Sequence, residues 1–342
     1  MSARISVAIV GGGIAGLSFA IALAKSGAPV DVDLYESTRE FSEVGAGIAF
    51  QPRVWEAMRM LCLEDELRPK SSAGIPAYYS KGDEEPFVMF GRSGGTVDSY
   101  HRAEFLAALV HHLPANYRTH FSKRLVSYTD APPARLELRF TDGTTATCDL
   151  LVGADGVKSA VRAAMYEGLA AGAEDAGQAE HFRQCIPAKW TGQYVYRGMV
   201  PREQLERACP NHPALKGPIF FMGKDKFLIC YPVSSGTMIN VGGIVTNNAA
   251  CGSLHPEPWV VPVTQDEFRA QYTGWCSYVQ HVINGIKSPS RWATNSVPDL
   301  PTFTAGRVAI IGDAAHAMTP HLGSGAAQGV EDGLIGGAPC VP

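Results

Sequence analysis

The sequence predicts an α/β protein: a mostly parallel sheet flanked by helices, with a second, largely antiparallel β-sheet inserted into it. Three observations predict this. The first 36 residues read as strand, glycine-rich turn, helix and strand. Near the other end, another apolar strand finishes in Gly312-Asp313. Between them, Cys185 to Val245 carries short β-branched and aromatic runs separated by turns.

The opening unit is the most specific. Ser6 to Val10 reads as a buried parallel strand, Leu17 to Ser26 as a helix closed by Gly27, and Val30 to Tyr35 as a second strand. The turn is Gly11-Gly12-Gly13-Ile14-Ala15-Gly16, which fits G-x-G-x-x-G in the order a dinucleotide site requires. Gly11 allows the tight turn, Gly13 lets backbone approach a pyrophosphate, and Gly16 lets the helix pack closely. Unpaired N–H groups at the helix start attract phosphate. Glu36 follows the last glycine by 20 residues, where a carboxylate can bond ribose hydroxyls. Ile5 to Ala24 holds no charged residue, so a membrane helix competes; its central glycines and strand-like first half argue against one. These residues alone fit NAD or FAD equally.

Composition narrows the class. The 342 residues are enough for two domains; 46% are hydrophobic and 18% charged, as in a globular enzyme. A net charge of −4 gives no basic surface for nucleic acid or acidic lipid. The first residues do not read as a cleavable signal. Eight cysteines are scattered without C-x-x-C, which favours free thiols and a reducing, cytoplasmic setting. No histidine pattern predicts a metal, and none is expected. His111-His112 reads as a favourable partner for a helix end.

Along the chain, Val44 to Ile48 is a second glycine-rich segment, in which Gly45 and Gly47, two apart with small neighbours, let backbone lie against something flat or bulky, or make a plain bend. Pro52 opens a helix whose apolar stripe is Val54, Met58, Leu61 and Cys62. Ser71 to Ser99, including Pro86 to Phe90, suits an excursion. Arg102 starts a helix, where a cation is favoured only near an anion. Leu136, Leu138 and Phe140 alternate in a strand that turns at Thr141-Asp142-Gly143-Thr144. The next apolar strand ends in Gly153-Ala154-Asp155-Gly156. Glu167 to Glu180 reads as a surface loop, and Gln265 to Val282 as one helix with Phe268, Tyr272, Trp275 and Val279 on one face. The aromatics of Cys185–Val245 suit either a substrate wall or core. After Gly312-Asp313, a glycine-rich turn leads to a helix start, a second phosphate- and hydroxyl-binding constellation.

Taken together, Gly11-x-Gly13-x-x-Gly16 with Glu36, Gly45-Ala-Gly47-Ile48, His101-Arg102, Gly153-Ala-Asp155-Gly156 with Ser159 and Arg162, Tyr196-Arg197-Gly198, Tyr231-Pro232, and Gly312-Asp313 through His316, Pro320, Gly323 and Gly325 resemble the single-component FAD-dependent aromatic hydroxylases, nearest the salicylate hydroxylase-like branch. The resemblance implies a discontinuous Rossmann-like FAD-binding domain (residues 1–70, 99–178 and 288–335) and a substrate domain (71–98 and 179–287). Gly11, Gly13, Ile14, Ala15 and Gly16 would hold the FAD pyrophosphate and Glu36 the ribose. Arg102 would contact the FAD chain, and Asp313 the ribityl and pyrophosphate region. Gly47, Ile48, Pro320, Gly323 and Gly325 would line the flavin end. Asp155 would serve FAD binding and NAD(P)H use. The implied reaction is hydroxylation of a phenolic or aromatic-acid substrate by NAD(P)H and O2 through a flavin C4a-hydroperoxide, with Arg197, Tyr231 and His321 as substrate-side candidates. His316 is expected to bond backbone. Epoxidation and dearomatisation are further outcomes of the same chemistry.

The family usually continues past Glu331-Asp332 in a long helix. The glycines and prolines of Gly333 to Pro342 predict that it stops there, so a shortened, catalytically impaired member is the second reading. An NAD-dependent dehydrogenase is the third; Gly312-Asp313 and the lack of a second coenzyme unit argue against it.

Overall fold

The computed structural model describes residues 4–42, 47–74, 76–82, 86–87 and 97–337. Val44–Ala46, Val88–Phe90 and Ala338–Pro342, named above, lie outside that set.

Val7, Ala8, Ile9 and Val10 are all buried, so the first strand (Ile5–Val10) is covered on both faces. It lies inside a six-stranded sheet whose order is Thr304–Ala305, Val308–Ile310, Leu150–Gly153, Ile5–Val10, Val30–Tyr35, Arg118–His120. Every neighbouring pair is parallel except the first. The two-residue period splits the strand between two cores. Val7 and Ile9 pack with residues of the helices Ile14–Lys25, Val54–Met60 and Arg102–His111. Ala8 and Val10 pack towards the helix Ala160–Ala171 and an antiparallel sheet of Leu125–Ala131, Arg135–Phe140 and Thr145–Cys148.

The second large sheet has eight strands, in the order Val260–Pro262, Ser290–Ser296, Lys189–Pro201, Met238–Thr246, Lys226–Val233, Ile219–Gly223, Ala77–Ser80, Pro86–Phe87. All pairs are antiparallel except Ile219–Gly223 with Ala77–Ser80. Tyr79, Tyr196, Phe221, Leu228 and Val241 face a dry core closed by Phe268, Tyr272, Val279 and Val282. A small sheet of Gly47–Phe50, Val97–His101 and Ser72–Gly74 joins the two halves.

Several expectations are corrected. The glycine-turn helix starts at Ile14, three residues earlier than expected. The helix after Pro52 ends at Met60, and Cys62 is exposed with φ +58 rather than part of the stripe. Most of Glu167–Glu180 is helical, within Ala160–Ala171 and Ala176–Gln184. Its alanines favour helix, and Asp175 caps the second by accepting from the Gln178 N–H. Gln265–Val282 is two helices, Gln265–Gln271 and Ser277–Asn284, separated near Gly274 at φ +78. Its four aromatic and aliphatic residues still meet one core.

The largest correction is at the end of the chain. The last helix, Gly325–Gly337, runs through Gly333 and Gly336. Gly329, Gly333 and Gly337 recur every four residues and lie against Ala15, Phe19 and Ala22 of the helix Ile14–Lys25. Packing without side chains offsets their poor helix propensity. A Cβ on Gly333 would stand 2.6 Å from the Phe19 amide nitrogen and from Ser18 Cβ. Gly333→Ala should therefore destabilise by about 1–3 kcal/mol. Gly168→Ala, where an added Cβ meets nothing within 4 Å, should stabilise by up to about 1 kcal/mol. Urea unfolding of both variants checks the opposite signs.

Candidate active site

A cavity of about 740 Å³ runs from the first glycine turn, past Gly47 and the Gly312–Gly325 segment, to the uncovered face of the eight-stranded sheet. All seventeen candidate residues except Gly16 line it.

At the nucleotide end, Gly11 has φ +110, and a Cβ there would strike the Ala154 carbonyl. Gly16 packs on the Gly11 carbonyl in the same way. Gly13 is different: nothing lies within 4 Å of an added Cβ. Open space therefore faces the start of the helix, whose first N–H groups have no partner within the helix. Glu36 is already engaged. It accepts from the Gly12 N–H at 2.7 Å, the Thr38 N–H at 2.8 Å and the Thr38 hydroxyl at 3.0 Å. It thus ties the glycine turn to the end of the second strand. Arg102 begins the helix Arg102–His111 and lines the cavity, as its position in the sequence predicts.

Asp155 lines the cavity and is engaged within the protein. Its carboxylate accepts from the Ser159 hydroxyl at 2.5 Å and from the Ala160 and Val161 N–H groups at 2.8 and 3.1 Å. Burial pushes its carboxyl up, while these donors oppose the shift. The side chain thus caps the start of the helix Ala160–Ala171. Nearby Arg162 is 1% exposed and donates to the carbonyls of Val157, Ile186 and Ala314 at 2.6, 3.1 and 2.7 Å. Burial pulls its pKa below the usual arginine range.

The second constellation turns at Gly312, φ +59. Asp313 is exposed to the cavity at the start of Asp313–His316. The Gly312 N–H donates to Asp332 at 2.7 Å, and His316 Nε2 meets the same carboxylate oxygen at 2.5 Å. His316 therefore bonds a side chain, where backbone was expected. Pro320 opens a short turn that ends at Gly323, φ +61, before Gly325 starts the last helix.

The sheet face supplies the far wall. Gly47 is the joint: its N–H donates to Asn240 Oδ1 at 3.1 Å, and a Cβ on it would enter the Tyr231 ring. Burial pushes Tyr231 up to about 12, so it stays protonated. Arg197 is half-buried, with its guanidinium 4.8 Å from the Trp292 ring. Among the described residues no carboxylate pairs with it. Burial lowers its pKa, which an anion would reverse. His321 is exposed at the rim against Phe227, 5.4 Å between ring centroids, and desolvation lowers its pKa.

Of the aromatics that sequence alone left undivided, Tyr194, Tyr196 and Phe221 pack into or against the helix-covered core, while Phe220, Phe227 and Tyr231 line the cavity. Sequence reasoning missed Asn240 and Trp292 in the cavity wall, and Asp332 as the anchor of Gly312 behind it. Asn240 carried a signal: asparagine is disfavoured inside strands unless its amide has a task. Among the described residues, Glu66, His111 and His112 also bring three ligand atoms within 4.8 Å of one another, outside this cavity.

His316 is raised above its ordinary value chiefly by the Asp332 hydrogen bond. A raised folded pKa stabilises below the unfolded value of about 6.5, and that stability fades as pH rises through the folded pKa. Asp332→Asn should thus cost more stability at pH 5.5 than at pH 8.5, read from urea midpoints. An equal cost at both would refute the protonated pair.

A protein-family model described as "FAD binding domain" matches residues 4–200 and 245–335. The FAD-dependent monooxygenase str9 of Strobilurus tenacellus is 38% identical over 338 residues, covering 92% of this chain and 72% of that protein. A salicylate hydroxylase of Pseudomonas putida is 35% identical over 338 residues, covering 95% and 74%. A solved salicylate hydroxylase substrate complex superposes with TM-score 0.79 at 31% identity, covering 98% of this chain and 79% of that one. The open groove before Gly13, the turn at Gly11 and the exposed Asp313 carboxylate fit a bound FAD. The chain belongs to the FAD-binding-domain family and is an FAD-dependent monooxygenase of the salicylate hydroxylase type.

Proposed function

We propose that the protein uses NAD(P)H and O2 to hydroxylate a phenolic or aromatic-acid substrate lying on the cavity face of the eight-stranded sheet. One observation carries this reading: Arg197, a half-buried cation with no carboxylate partner among the described residues, stands in a wall of aromatic and aliphatic side chains. A buried charge calls for a counter-charge, and a substrate carboxylate or phenolate provides one with bidentate geometry.

In this reading Gly11, Gly13, Ile14, Ala15 and Gly16 hold the FAD pyrophosphate by backbone amides. Glu36 orders the glycine turn and keeps remaining lone pairs for the ribose. Asp313 takes the ribityl hydroxyls; Arg102 meets the FAD chain. Gly47, Ile48, Pro320, Gly323 and Gly325 surround the ring system. When bound, FAD supplies the redox and O2-activating chemistry. The chain's own residues do the rest. Arg197 orients the substrate anion and stabilises a phenolate. Tyr231 donates a hydrogen bond to the same oxygens. His321, with its depressed pKa, is neutral at pH 7 and can accept a proton at the rim. The apolar wall of Val195, Phe227, Ile229 and Ile244 excludes water from the ring being hydroxylated. Asp155 fixes the helix start at the cavity wall and in that position serves FAD binding and NAD(P)H use.

A panel of hydroxybenzoates, scored for substrate-stimulated NAD(P)H oxidation coupled to product, tests the reading. Arg197→Gln should raise KM roughly 10- to 150-fold, the value of a charged hydrogen bond of about 1.5–3 kcal/mol. No stimulation by any member of the panel, or an unchanged KM in the variant, would overturn it. Asp313→Ala should lose FAD on gel filtration; full flavin content in that variant would remove Asp313 from the site.

A further inference from the structure

The sheet face that carries Arg197 continues well beyond it. The strand register places Arg197 opposite Gly242, Gly242 opposite Ile229, Ile229 opposite Phe220 and Phe220 opposite Tyr78. All five line the same cavity. Adjacent strands lie about 4.8 Å apart, so the row from Arg197 to Tyr78 spans roughly 19 Å. A single aromatic ring bonded to Arg197 is far shorter than that.

We propose that the substrate carries an apolar extension, an alkyl chain in particular, that runs from its Arg197-bound ring along this row to Phe220 and Tyr78. The proposal rests on the hydroxylase reading above and names the substrate class of that same site. The row beyond Arg197 holds no charged side chain. Its end is a stacked pair: the Tyr78 and Phe220 rings lie 5.0 Å apart at 15°. The core does not require them there. The next residues along both strands, Tyr79 and Phe221, are 7% and 0% exposed and fill the helix-covered face. Tyr78 and Phe220 instead remain half-buried on the cavity wall, where water meets apolar surface unless a ligand displaces it. Gly242 keeps the wall low between the two ends. A Cβ there would come within 3.2 Å of Ile229 Cγ2 and raise a step across the path. Pro76 and Pro218 flank the far end, so the channel is apolar on its sides as well.

The test uses the FAD-loaded enzyme and hydroxybenzoates with unbranched alkyl substituents from methyl to heptyl. KM for coupled NAD(P)H oxidation, and the dissociation constant from quenching of bound-flavin fluorescence, should both fall with chain length. The expected gain is up to about fourfold per methylene, the equivalent of about 0.8 kcal/mol. Phe220→Ala should flatten that gradient, and Phe220→Leu should restore most of it. Short and long substrates turning over with equal KM would overturn the extension and leave the hydroxylase reading standing. A panel in which no hydroxybenzoate of any length binds or reacts would overturn both. Should Phe220→Ala fail to fold, the chain-length series on the unaltered protein decides the matter alone.

Discussion

The backbone at Gly47 lies against the Tyr231 ring and donates its N–H to Asn240. That contact presses the small joining sheet onto the face of the eight-stranded sheet. Only glycine permits the approach, because any Cβ would overlap the tyrosine ring. Asn240 is 7% exposed, and its amide oxygen meets an N–H that the approach would otherwise leave buried and unpaired. The joint therefore sets how far the nucleotide end stands from Arg197, and with it the geometry of any reaction between the two.

The eight-stranded sheet serves two purposes through its two-residue period. One face packs against the helices Gln265–Gln271 and Ser277–Asn284 and stabilises the fold. The other lines the cavity. Neighbouring residues such as Phe220 and Phe221 have opposite tasks for that reason alone. A register shift of one residue would bury Arg197 in the dry core and turn Tyr196 towards the cavity, so register is strongly specified.

Several charged side chains that look like ligand groups are structural anchors. Asp155 caps a helix, Asp332 holds Gly312 and His316, and Arg162 ties three carbonyls. Each occurs where glycine-rich backbone turns sharply beside the cavity. Loops bent that tightly leave N–H and C=O groups without secondary-structure partners, and buried side-chain charges meet that demand. The site is thus preorganised by groups that need not touch what binds there.

The sequence by itself determined the strand–glycine–helix–strand unit, the two aspartate turns and the antiparallel insertion. These depend on local spacing, turn chemistry and period, all of which act over a few residues. The family resemblance that these motifs carry named Arg102, Arg197, Tyr231 and Asp313 as candidates, and all four line the cavity. The sequence misjudged Glu167–Glu180 and Gly325–Gly337. In the first, alanine content favoured helix over loop. In the second, glycines that weaken an isolated helix let two helices touch, an effect that exists only once the partner helix Ile14–Lys25 is in place. Only the tertiary structure decided which aromatics face the cavity, that Asp155 is a cap, that Asn240 and Trp292 line the cavity, and that Asp332 holds Gly312 and His316. Those assignments depend on contacts between residues far apart in the chain, and no local pattern carries them.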